Sequence, residues 1–180
     1  TGLHIVNISN AASPALTGTF NTSGYCYGVF ISGDYAYVAD NTAGMQIIRI
    51  SNAAVPTRMS TLATLGDANG ITVSGTYAYV AAWAAGVDIL RITNAAVPTR
   101  MGSFAPPGGA GEDVFISGDY AYLAYRGAGL QIINISNAAV PTLTGAFDTP
   151  ALSMDVVVSG SYAFVADDTS GLQIINIANI

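Results

Sequence analysis

Lysine is absent, and cysteine, histidine and tryptophan occur once each, as Cys26, His4 and Trp83, in 180 residues. Five arginines face 11 acidic groups, for a formal net charge of −6. Phosphate backbones are bound by clustered Lys and Arg, so this balance argues against nucleic acid as a partner. A lone cysteine forms no intrachain disulfide. Cys26, between Tyr25 and Tyr27 in an apolar strand context, reads as a buried, inert thiol. A lone histidine lacks partners for metal binding or acid–base work, which leaves His4 as a strand-surface residue. Apolar runs are short and broken by Gly, Asn, Asp and Pro. None approaches the roughly 20 residues that span a bilayer, so a transmembrane helix is excluded. Charged residues make up 9% of the chain, against about 25% in typical soluble domains, and the surface is therefore mostly uncharged and polar. The 51% hydrophobic content is enough to fill a core.

What the chain has in abundance is self-similarity. Ser-Gly recurs at Ser32/Gly33, Ser74/Gly75, Ser117/Gly118 and Ser159/Gly160, at spacings of 42, 43 and 42. Two residues after each Gly comes Tyr35-Ala-Tyr-Val, Tyr77-Ala-Tyr-Val, Tyr120-Ala-Tyr-Leu or Tyr162-Ala-Phe-Val. Each unit reads as four short strands, rich in β-branched and aromatic residues. The first ends at Ser-Gly. The Gly-Asp, Gly-Thr or Gly-Ser pair that follows fits a two-residue hairpin, because Gly accepts positive φ, and the second strand is the Tyr-Ala-Tyr run. The third follows as Gly44-Met-Gln-Ile-Ile-Arg-Ile and its equivalents from Gly86, Gly129 and Gly171. Its polar third and sixth positions are expected on one face. A breaker, Ser/Thr-Asn-Ala-Ala-Val-Pro, leads to the fourth strand, since Pro cannot donate to a ladder.

A four-stranded meander cannot bury both of its faces alone, so copies must stack face to face. Four strands in 40 to 45 residues is the propeller pattern. The expected fold is therefore all-β: a β-propeller-type tandem repeat of four-stranded antiparallel blades of about 42 residues each, four repeats with mismatched ends. The divisions fall at 1–22 for an opening partial blade, 23–64, 65–106 and 107–148 for three full blades, and 149–180 for a closing partial blade that lacks its outer strand.

At Gly-Leu-Gln-Ile-Ile-Asn-Ile-Ser-Asn-Ala-Ala-Val-Pro from Gly129 and Val-Ser-Gly-Ser-Tyr-Ala-Phe-Val-Ala-Asp from Val158, the chain closely resembles the LVIVD repeat. That propeller-forming family comprises bacterial and archaeal surface and secreted proteins. The resemblance implies propeller blades and an extracytoplasmic setting, extracellular or at the cell surface, and brings no shared catalytic residues. Family blades often carry Asp at the sixth position of the third strand, where this chain has Asn7, Arg49, Arg91, Asn134 and Asn176.

The ends do not match. The opening Gly2-Leu-His-Ile-Val-Asn-Ile is a fifth third-strand followed by a fourth strand, and the closing unit has only its first three strands. One third-strand is surplus. Assembly through strand complementation, with other copies of the chain or with flanking repeats, is expected over a closed monomer. The start at Thr1, without Met or a signal-like segment, is expected of a processed form or an excerpt of something longer.

Few residues are candidates for chemistry. Asp113 and Asp155 stand at equivalent positions at the start of the first strand, with Glu112 beside the former, and could line a channel mouth. Oxygen ligands around an axis suit Ca²⁺, but the other two repeats supply Gly28 and Gly70, which favours solvated turn residues over a metal site. Asp167 and Asp168, in the link between second and third strands, read the same way. Gly108, Gly109 and Gly111 follow Pro106 and Pro107 without a Lys or a helix start, and so form a loop rather than a phosphate cradle. Trp83, Tyr125 and Arg126 replace the Asp-Asn or Asp-Asp of other repeats in that link, where they could stack on a sugar or grip a partner. Asn7, Asn21 and Asn134 begin glycosylation sequons, two of which arise from the repeat itself. The expectation is a non-catalytic structural or protein–protein interaction module without a cofactor. Its partners are other copies, flanking repeats, glycans or surface proteins. A carbohydrate-binding propeller is the alternative, and a metal-dependent enzyme the third reading.

Overall fold

A computed structural model of the chain describes residues 2–179; Thr1 and Ile180, the outer ends of the expected opening and closing segments, lie outside the described residues. The described residues form 17 strands in five sheets. The opening sheet is β1 (Leu3–Asn7) with β2 (Ala15–Phe20). Three complete blades follow: β3 (Gly28–Ser32), β4 (Tyr35–Ala39), β5 (Met45–Arg49) and β6 (Thr57–Leu62); β7 (Ile71–Ser74), β8 (Tyr77–Ala81), β9 (Val87–Arg91) and β10 (Thr99–Phe104); β11 (Ala110–Ser117), β12 (Tyr120–Arg126), β13 (Gly129–Asn134) and β14 (Thr142–Phe147). The closing sheet is β15 (Ser153–Ser159), β16 (Tyr162–Asp167) and β17 (Leu172–Asn176). Within every sheet, spatial order follows chain order and neighbours are antiparallel, so each blade is a meander. The chain is an all-β, β-propeller-type repeat.

Local chemistry explains the connections. Gly33, Gly75, Gly118 and Gly160 take φ of 54°, 56°, 56° and 57° at the first position of two-residue loops, the hairpin in which glycine comes first. A Cβ at these positions would meet nothing within 4 Å, so glycine serves conformation there rather than space. After the third strand, Asn10, Asn52, Asn94 and Asn137 each accept, through Oδ1, the N–H two residues on, at 3.0 to 3.1 Å. These Asx turns are why the breaker carries Asn before Ala-Ala.

The core lies between blades. Tyr37, Ala39, Met45 and Ile47 of one blade pack on Ile71, Ala78, Val80 and Leu90 of the next, and the same positions form the next two joints. The opposite face of the first complete blade, Ala36, Val38 and Ile48, meets Leu3 and Phe20 of the opening sheet. This alternation corrects the expectation for the third strand. Gln46 is fully buried on the face of Ile48, whereas Arg49 is exposed on the face of Met45 and Ile47. Positions three apart fall on opposite sides of a strand, because side chains alternate with period two.

Buried carboxylates tie three of the sheets to the loop before them, and in the third complete blade the Tyr125 hydroxyl takes that place. Asp40, fully buried, accepts from Gly24 N–H at 2.9 Å, Thr22 Oγ1 at 2.6 Å and Gln46 Nε2. Asp167 accepts from Ala151 N–H at 3.0 Å. The second complete blade has Ala82 at that link position, and Asp88, on its third strand, does the work instead. Asp88 accepts from Leu65 N–H at 3.1 Å and from Arg100 Nε and Nη2 at 2.8 and 3.0 Å. Asp88 is fully buried, so removing its cation strands an uncompensated charge. Arg100→Ala is expected to lower unfolding free energy by about 3 kcal/mol, read as a shifted denaturant midpoint.

Candidate functional site

The four first strands, β3, β7, β11 and β15, start at one end of the molecule around a shared cavity of about 610 Å³. Tyr27 and Gly28, Asn69 and Gly70, Glu112 and Asp113, and Met154 and Asp155 occupy one pair of repeat positions, and every one lines the cavity. In β11 and β15 consecutive residues can do this because the strands are bulged. The register between β11 and β12 shifts between Gly111 and Asp113, and that between β15 and β16 between Ser153 and Asp155. The extra residues, Glu112 and Met154, are thereby re-aimed towards the axis. The sequence reading began these strands at Asp113 and Asp155; they begin at Ala110 and Ser153, and a bulge leaves no mark on residue type that would have shown it.

Asp113 is hydrogen-bonded to the Asp155 side chain and to the N–H groups of Val114 and Val156. Burial, then the hydrogen bond to Asp155 and its charge, push the Asp113 carboxyl up to about 7. Asp113 is half-buried at this end of β11, whereas Asp155 is exposed, as a solvated residue at the rim would be. Among the described residues no three His, Cys, Asp or Glu side chains are grouped to hold a metal ion. Glycine across the joint makes the arrangement possible, because a Cβ on Gly70 would lie 2.4 Å from Asp113 Oδ1 and 2.7 Å from its Cα.

Beside the pair runs a second polar chain. Arg126 Nη1 donates to Glu112 Oε1 at 3.2 Å, and Asn69 Nδ2 donates to Glu112 Oε2 at 3.0 Å. Burial raises the Glu112 carboxyl and Arg126 pulls it back. The guanidinium also lies 5.5 Å from the centre of the Trp83 ring. Trp83 is held by the Gly111 N–H, which donates to its carbonyl at 2.8 Å. Its φ is 45°, in the left-handed region, as at the equivalent Asn41 and Asp168, 49° and 37°. Asn and Asp tolerate that region; a bulky side chain is strained in it.

The structure thus brings Trp83, Arg126, Glu112, Asp113 and Asp155 together and leaves others out. Tyr125 cannot contact a ligand. It is 1% exposed in the joint between the second and third complete blades, and its hydroxyl donates to the Pro106 carbonyl at 2.7 Å. Strand alternation turns it away from its neighbour Arg126. Asp167 is buried as a loop anchor rather than solvated, and Asp168 opens a 3-10 turn at Asp168–Ser170. Gly108 and Gly109 lie in the loop before β11, and Gly111 within it. His4 is exposed on β1, and Asn7 and Asn21 are exposed. Asn134 accepts from Ser136 N–H and Oγ at 3.0 and 2.6 Å. Cys26 is half-buried near Asp40, and burial raises its thiol above the ordinary value, which disfavours the reactive thiolate. Asn69 and Asp67, which also line the cavity, were missed by sequence reasoning. The repeat alignment could have found Asn69, since it stands one residue before Gly70, the equivalent of Asp113.

The sequence profile of the LVIVD repeat matches residues 1–22, 23–64, 65–105, 108–149 and 152–180. The chain belongs to the LVIVD repeat family. Its blades are therefore LVIVD units, the outer two of them partial. No curated protein matches the chain. Among solved structures, it is similar to the computationally designed Ika4 protein, with TM-score 0.72 and 8% identity over 88% of this chain and 94% of that one. The designed Ika8 protein gives 0.73 and 7%, over 92% of this chain and 50% of that one. A functionally unknown protein from Desulfotomaculum acetoxidans DSM 771 gives 0.73 and 20%, over 95% and 61%. The chain thus spans half to three-fifths of the latter two. At these identities the likeness is one of fold.

Two measurements follow from the axial geometry. The folded protein keeps a proton on Asp113 that the unfolded chain releases near 3.8, so this group makes stability fall as pH rises from 3.8 to about 7. Asp113→Asn should flatten the pH profile of thermal unfolding across that window. At position 83 both Trp83→Asn and Trp83→Ala lose the ring, but only Asn suits the left-handed backbone. Trp83→Asn should be the more stable of the two by about 1 kcal/mol in urea unfolding.

Proposed function

We propose that this LVIVD chain is a non-catalytic, extracytoplasmic interaction module whose partial blades are completed by strands of its own repeat type. The partner is a first-and-second-strand hairpin at the opening end and, at the closing end, a fourth strand on the edge of β17 with a further blade against its face. The observation that carries the reading is the fate of equivalent apolar positions. Ile71, Val114 and Val156 are 6%, 1% and 1% exposed against the preceding blade, but Val29, at the same position, is 54% exposed. At the other end, Leu172 and Ile174 are 62% and 61% exposed, whereas their equivalents Met45 and Ile47 are fully buried. Covering each such side chain contributes about 1.5–3 kcal/mol.

The edges agree with the faces. β1 pairs only with β2, and β17 only with β16, so each offers an unpaired row of backbone groups. A groove of about 310 Å³ lined by Leu3, Cys26, Val29 and Val38 runs where a second strand would pair with β1. The non-catalytic reading is supported by Glu112, whose two oxygens pair with Arg126 and Asn69 rather than standing free as a general base. The extracytoplasmic setting draws support from the family resemblance and from the 9% charge content.

Light scattering at rising concentration, with and without a synthetic Gly70–Ala81 hairpin, tests the proposal. Completion by other copies predicts concentration-dependent assembly, weakened at least about ten-fold by Ile174→Asp, which removes one buried side chain's contribution. Completion by flanking repeats predicts a monomer that binds the hairpin at the opening groove. A monomer that ignores the hairpin overturns the reading.

A further inference from the structure

The axial cavity carries more than the strand-completion reading uses, and does so independently of it. Its 610 Å³ falls in the size range of small-molecule sites. Trp83 lines it with 37% of its surface exposed, in a backbone conformation that Asn and Asp fill elsewhere in the repeat without strain. An outlier kept where a cheaper residue is available points to function.

The groups around the ring are fixed before any ligand arrives. Arg126 is pinned between Trp83 and Glu112, and Glu112 between Arg126 and Asn69, so the site is preorganised and loses little side-chain freedom on binding. The chemistry is mixed. Asn69 and Arg126 bring N–H groups, and Glu112, Asp113 and Asp155 bring carboxyl oxygens, so the cavity can both donate and accept. A hydroxyl also does both, so adjacent ligand hydroxyls suit these planar groups. Ligand charge is constrained as well. Among the described residues Arg126 is the one cation lining the cavity, already paired with Glu112, so phosphates and carboxylates would face uncompensated acidic groups. Cations gain less than the acid count implies, because Arg126 already lies over one face of the Trp83 ring and neutralises Glu112.

We propose that the axial cavity binds a neutral saccharide, with a sugar ring stacked on Trp83 and its hydroxyls held by Asn69, Glu112, Arg126 and the Asp113–Asp155 pair. Trp83 is the chain's single tryptophan, so its emission reports directly on the site. The experiment titrates the whole protein with a panel of neutral disaccharides (cellobiose, maltose, lactose and mannobiose), following Trp emission and heat of binding, with tetramethylammonium as a cationic competitor. At least one disaccharide should shift the emission and bind at millimolar concentration or below. Trp83→Asn, which suits the backbone, should still unfold cooperatively yet bind about ten-fold more weakly by calorimetry, the loss expected for one aromatic contact. Failure of the whole panel to bind overturns the proposal. So does binding that survives Trp83→Asn, or tetramethylammonium displacing the sugar at lower concentration than the sugar itself binds.

Discussion

A four-stranded meander of this repeat has two apolar faces, and each can be buried only against another copy. Everything else in the molecule depends on that constraint. The second strand meets it by alternating large and small residues: tyrosines reach forward into the next blade, and alanine and valine receive the blade behind. Tyr37 and Ile71 across one joint, and Tyr122 and Val156 across another, are the same contact made twice. Where the chain supplies no further copy, the same positions stand in solvent, as Val29 and Ile174 do.

Stacking the blades also brings the starts of the first strands to one axis, where space is short. Gly70 gives way so that Asp113 can fit, and Asp113 and Asp155 then line one cavity. Geometry at the axis is repeated while composition is not: one pair of positions carries Tyr-Gly, Asn-Gly, Glu-Asp and Met-Asp. One aromatic, Trp83, stands among these polar groups on a strained backbone, and Tyr27 lines the same cavity. The scaffold tolerates such variation because the apolar joints are built from positions further along the strands than the axial residues.

Repeat length, strand order and the mismatched ends were legible because they rest on local signals, Ser-Gly hairpins and Asn-Ala-Ala-Val-Pro turns, that recur in phase. Legibility failed where neighbours decide. Gln46 and Arg49 lie on opposite faces, which the period of a strand dictates and a repeat alignment hides. Tyr125 looked like an exposed link residue, yet it extends β12 and seals a joint. Asp167 looked like a turn former, yet its carboxylate holds the loop before β15. In each case residue type agrees with two environments, and only packing across a blade boundary chooses between them.

By itself the sequence determined the number of strands and their antiparallel order, because hairpin turns and strand patterning are properties of a few adjacent residues. Only the tertiary structure decided what meets at the axis. Bulges at Glu112 and Met154 re-aim side chains, and residues 42 apart, Gly111 and Asn69, come into hydrogen-bonding contact. No local rule sets such contacts, since they depend on how closely one blade's first strand approaches the next.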